Sequence, residues 1–134
     1  MKKVLAFLFT AVLVASLSCS KSPESHAKAL VLDMAKLTET SAEKMEKAAT
    51  AKEAGDALLE YAANMKTLAL QGRELEKKYP ELKKENNPAL KAEEDVMMKS
   101  MEKFTRAMTS AITKYAASKE FQDAMSKMSE LMKN

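Results

Sequence analysis

From Ala51 to Tyr79 the apolar residues recur at alternating steps of three and four without a break: Ala51, Ala54, Leu58, Tyr61, Met65, Leu68, Gly72, Leu75 and Tyr79. Only a helix brings such a series onto one face, because a strand would need steps of two. Thr50 stands before the stripe as an N-cap, with Glu53 at capping-box spacing. Pro80 ends it, since proline disfavours helical backbone in the residue before it. A helix this long with one apolar face has to bury that face against other helices, so this feature alone predicts a bundle.

The rest of the chain follows the same rule. A first stripe runs from about Glu24 to Ala49 through Leu30, Val31, Met34, Leu37, Met45 and Ala48, with Ser41 interrupting it. Pro80 to Asn87 (PELKKENN) is the one substantial loop, and Asn87-Pro88 then reads as an N-cap followed by a proline in the first helical position. Glu93, Glu94 and Asp95 suit the positive end of the helix dipole. The third stripe is Met97, Met101, Phe104, Met108, Ala111 and Tyr115; Ser118 opens a shorter fourth segment with Phe121, Met125, Met128 and Met132.

Short connections at Ala49–Thr50 and Ala117–Ser118 favour antiparallel neighbours. The expected fold is all-α: an antiparallel bundle of three long helices plus a short C-terminal fourth helix. Composition agrees, with 2 Gly, 3 Pro and no Trp, and with Val and Ile scarce beyond the first fourteen residues.

The amino terminus reads differently. Met1-Lys2-Lys3 is a positive n-region, and Val4 to Leu17 (VLAFLFTAVLVASL) is apolar on every side, the size of a signal-peptide core and short for a membrane span. Residues 1–18 are therefore expected to be a signal peptide, 19–24 a tether and 25–134 the helical domain. The sole cysteine, Cys19, follows Ser16-Leu17-Ser18, an arrangement that resembles a relaxed lipobox of bacterial lipoproteins.

That resemblance implies cleavage before Cys19, acylation of its sulfur and amine, and a lipid bilayer as partner. Ser20 stands where this family uses Asp to retain proteins at the inner membrane, so the expected location is the cell envelope, lipid-anchored at the outer membrane. The alternative is ordinary cleavage after Ser18 or Ser20, which yields a secreted or soluble periplasmic protein with one unpaired Cys or none.

With Lys2 and Lys3 set aside, 20 basic residues face 19 acidic ones, interspersed, so nucleic acid is not an expected partner. His26 is the single histidine and has no clustered Cys or acidic companion, which argues against a metal site and against a serine hydrolase. No enzyme activity and no cofactor are expected. The helix pattern also resembles periplasmic b-type four-helix cytochromes. Met34 matches the position of that family's methionine ligand, but the last helix has no His, so haem binding is not carried over.

Ten methionines lie beyond the leader. Met97, Met101, Met108, Met125, Met128 and Met132 fall on stripes that a core needs, and thioethers fill irregular gaps well. Met98 lies off the stripe. The M-x-x-M pairs Met98/Met101 and Met125/Met128 carry the alternative expectation: a carrier of Cu(I) or of a small apolar ligand. The leading expectation is a non-enzymatic binding or structural role through protein contacts, with Lys83, Lys84, Glu85, Asn86 and Asn87 of the loop as the interaction segment.

Overall fold

The computed structural model describes residues 22–83 and 87–133, and every regular element among the described residues is helical. The chain is all-α. Helix α1 spans Pro23–Lys47, α2 Ala51–Lys78, α3 Lys91–Tyr115 and α4 Lys119–Lys133, of 25, 28, 25 and 15 residues. Short 3-10 turns at Pro80–Lys83 and Pro88–Leu90 join α2 to α3. The leader, Cys19 and the loop residues Lys84, Glu85 and Asn86 lie outside the described residues.

Each boundary follows from a local rule. Ser22 caps α1, its Oγ accepting the Ser25 N–H at 3.2 Å, with Pro23 in the first helical position. Pro23 and Glu24, read from the sequence as tether, are thus already helical. Thr50 Oγ1 accepts the Glu53 N–H at 3.2 Å, and the Glu53 carboxylate reaches back to the Ala49 N–H at 2.8 Å. The box closes one residue upstream of the standard pattern. The Tyr79 N–H donates to Leu75 O at 2.8 Å before Pro80 forbids another turn.

The stretch from Pro80 is less of a loop than its polarity suggests. Leu82 is buried in a small second core with Ala27 and Leu90, onto which Leu75 and Tyr79 pack. Asn87 does act as a cap, accepting the Ala89 N–H at 3.1 Å. The helix it starts opens with one 3-10 turn, and α3 proper begins at Lys91.

The helices associate in the spatial order α3, α1, α2, α4: α1 packs extensively on α3 and on α2, and α4 packs on α2. Consecutive helices α3 and α4 hardly approach each other, so the short turn at 116–118 does not make them close neighbours. Contacts set the registers. Between α1 and α3, Glu39 pairs with Lys103 and the Tyr115 hydroxyl donates to Ala48 O at 2.8 Å. Between α1 and α2, Lys44 pairs with Glu60 at 2.7 Å, and Leu30 lies against Gly72. These ion pairs are half-exposed and screened by solvent, so they mark the registers without being a main source of stability.

Burial supplies the stability. Leu58, Phe121 and Thr38 are the large side chains most completely enclosed. The Tyr61 and Phe104 rings meet at 4.3 Å between centroids, and Tyr115 meets Phe121 at 5.9 Å. Burying Leu58 or Phe121 stabilises the fold by roughly 1.5–3 kcal/mol each. Around these anchors the buried faces are small: Ala27, Ala35, Thr38, Ser41 and Ala42 on α1, and Ser100, Ala107 and Ala111 on α3. Small side chains let helix axes lie close, which sends longer side chains to the flanks.

The two glycines sit inside α2 for different reasons. A Cβ on Gly55 would lie 2.9 Å from the Ala124 Cβ, so α4 rests where a methyl is missing. At Gly72 the nearest atom is the flexible Leu30 Cδ2, at 3.3 Å. Either Gly→Ala change gains up to about 1 kcal/mol of helix propensity. Gly55→Ala also forces α4 outward, an overpacking cost of about 1–3 kcal/mol. Thermal unfolding is expected to show Gly55→Ala lowering the midpoint and Gly72→Ala leaving it unchanged or raising it.

Candidate functional site

The methionines divide by depth. Met45 and Met65 belong to the main core, and Met34, Met97, Met108, Met125 and Met128 are half-buried against it. Met98, Met101 and Met132 are exposed, at 63%, 40% and 52%. This corrects the expectation that Met101 and Met132 belong to the core. The buried face of α3 runs through Ser100, Phe104, Ala107 and Ala111, and that of α4 through Phe121 and Ala124. The methionine stripes lie along the edges of those faces. The physical reason is that α3 and α4 present alanine and serine beside their phenylalanines, which leaves their own thioethers at the edges, while Met45 of α1 and Met65 of α2 do enter the core.

The two M-x-x-M pairs are not brought to one place. Met125 and Met128 pack on the core containing Phe121, whereas Met98 and Met101 face outward and line an open depression with Met97, Glu102, Thr105 and Arg106. Ile112, 38% exposed, continues this flank toward the C-terminal end of α3. Helical spacing puts Met98, Met101, Thr105 and Ile112 on one side of α3. The flank is thus an apolar strip about four turns long, edged by Glu102 and Arg106.

A second apolar recess lies where α4 ends against the longer α2. It is lined by Met65, Ala69, Leu70, Leu131 and Met132, with Lys66 and Arg73 at its rim. The sequence marks Leu131 and Leu70 as off-stripe residues, the one signal by which this recess could be found.

His26 is exposed in the first turn of α1, its backbone N–H donating to Ser22 O at 3.1 Å. Among the described residues no three His, Cys, Asp or Glu side chains are grouped to hold a metal ion. Of the loop segment, Lys83 ends the first 3-10 turn and Asn87 caps the second with its side chain. Asn87 is therefore engaged in holding the chain's own fold. Glu93 has one carboxylate oxygen buried without a hydrogen-bond partner; it lies in the first turn of α3, where the helix dipole favours negative charge.

At the other end of the molecule, Tyr115 and Lys114 both donate to Ala48 O, at 2.8 and 3.3 Å. That carbonyl lies at the C-cap of α1, so α3 satisfies an acceptor that the helix leaves open. Spacing alone could not reveal this contact, which joins residues far apart in the chain.

No helix among the described residues is long and apolar enough to cross a membrane. No protein-family profile, no curated protein and no solved structure matches this chain.

One group has a perturbed titration with structural consequences. Burial pushes the Tyr61 phenol above its ordinary value near 10, and a side-chain hydrogen bond with Thr38 offsets part of that rise. A folded-state value above the unfolded one means that the folded state binds more protons in the window between them. The associated stability is full below pH 10 and is lost as pH rises through the folded value. Unfolding at increasing alkaline pH is expected to show this loss, with Tyr61→Phe showing a shallower one. Titration of tyrosinate absorbance should resolve a group ionising above the ordinary phenol value that is absent from Tyr61→Phe.

Proposed function

We propose that this protein is a lipid-anchored envelope protein, acylated at Cys19, whose helical domain binds other proteins and performs no catalysis. The domain is an antiparallel arrangement of three long helices, α1 to α3, with α4 as a short fourth. The membrane is the outer one, facing the periplasm or the exterior, in keeping with Ser20 beside the acylated residue. The leader and the placement of the only cysteine support the anchor.

The observation that carries the binding role is the apolar flank of α3. Met98, Met101 and Ile112 expose apolar surface in line on one helix, with no helix among the described residues covering them. Exposed apolar strips edged by charge mark interaction surfaces, and thioethers adapt to the shape of a partner. This flank is a better contact than Lys83–Asn87, because Asn87 is used in capping and the turn before it folds onto Leu82.

A photo-crosslinking side chain at position 98, in intact cells, should give a discrete protein adduct, and the same probe at the exposed Lys36 on α1 should not. Met101→Glu should abolish the adduct without changing helix content. No adduct at 98, or the same adducts at 98 and 36, would remove the basis for this reading.

Soft-metal or small apolar ligand carriage is the second reading, and one observation favours it. Met98 and Met101 are solvent-facing thioethers one turn apart, sharing a depression with Met97. The inward turn of Met125 and Met128 leaves such a site short of ligands. Titration with Cu(I) under reducing conditions is expected to give no saturable binding in the micromolar range or tighter. Saturable binding that disappears in Met98→Leu/Met101→Leu would make the carrier reading the correct one.

A further inference from the structure

We infer that the end of the domain built from the first turn of α1, the two 3-10 turns and the Leu82–Leu90 core rests on the lipid surface, with the Tyr115 end directed away from it. The inference rests on the proposed acylation of Cys19.

The argument is one of chain length. Ser22 is the N-cap of α1 and Pro23 its first helical residue, with the Ser22 carbonyl already accepting the His26 N–H. Only Ser20, Lys21 and Ser22 separate Cys19 from Pro23. Four residue steps span at most about 13–14 Å when fully extended. The first turn of α1 is thereby confined to within that distance of the anchored cysteine. The 25 residues of α1 rise about 37 Å, so the Ala48 carbonyl and the Tyr115 that binds it can stand well clear of the surface.

What lies at the confined end suits a lipid surface. Ala27 ties the start of α1 to Leu82 and Leu90, so both 3-10 turns are carried to the membrane with it. Tyr79, half-buried on that core with Lys78 over its ring at 5.4 Å, is an aromatic side chain of the kind favoured at a lipid–water boundary. The sequence stretches that build this end, 21–28 and 74–95, carry seven Lys against eight Asp or Glu. The contact is set by the tether and not by net charge, so headgroup charge and salt should leave it unchanged. One consequence is that the two 3-10 turns, Pro80–Lys83 and Pro88–Leu90, face the membrane and are closed to a bulky soluble partner, while the α3 flank remains open at the side.

The test uses the full-length protein isolated from membranes with its anchor and reconstituted into phosphatidylcholine vesicles containing a headgroup-quencher lipid. A fluorophore is placed through Glu81→Cys, Met98→Cys or Ala49→Cys, all exposed positions. The expected result is co-flotation with vesicles, strong quenching at 81 and none at 49. A long Gly/Ser spacer inserted between Ser20 and Lys21 should remove that difference while flotation persists. Failure to float would overturn the anchor and this inference with it. Flotation with equal quenching at 81 and 49 would overturn the orientation alone. Strongest quenching at 98 would do the same, and would show the domain lying on its α3 flank.

Discussion

The approach of α4 to α2 is set by a missing methyl, since the Cβ that Gly55 lacks would sit 2.9 Å from the Ala124 Cβ. The same economy operates between α1 and α3, whose buried faces are small side chains (alanine, Ser41, Ser100 and the enclosed Thr38) apart from Met45 and Phe104. Helices that meet through small side chains lie close, and a few large residues then suffice to fill what remains: Leu58, Tyr61, Phe104 and Phe121. The rest of the structure depends on this. It draws α4 onto α2 and leaves the α3–α4 side the least tightly joined. It also leaves eight of the ten described methionines on half-buried and exposed flanks, with only Met45 and Met65 in the core.

That displacement explains what could and could not be read from the sequence. The stripe from Ala51 to Tyr79, the Thr50/Glu53 cap and the Pro80 stop were all legible, because each is a local rule acting over a few residues. Periodicity gives a helix an apolar face but not the line along which a partner touches it. Hydrophobic scale favours methionine over alanine and serine, and so points to Met97, Met101 and Met108; distance between axes favours small residues, and so adds Ser100 and Ala107 to the Phe104 and Ala111 already on the stripe. Ser41, which interrupts the stripe by polarity, is buried for the same reason.

The polar segment after Pro80 failed as a loop in another way. Leu82, between Pro80 and Pro88, and Leu90, just past Pro88, stand apart from the long apolar stripes, and their burial depends on Ala27, more than fifty positions away. The tie between Tyr115 and Ala48 is equally non-local. The candidate site was legible only in part. Met98 stood out as off-stripe, and it is the most exposed large apolar residue described. Met101 and Ile112 joined it only once the buried face of α3 was located on the line of Phe104 and Ala107.

In the proposed function, the leader, the cap at Ser22 and the α3 flank belong together: a domain held close to a membrane would present one side to other proteins. Acylation of Cys19 is the step on which that proposal rests, since it would turn a small helical bundle into an envelope component. The most direct measurement is mass spectrometry of the amino-terminal peptide from protein isolated from the membrane fraction. The account predicts a chain beginning at Cys19, heavier by a diacylglycerol and an amide-linked acyl group. An unmodified amino terminus at any residue would contradict it.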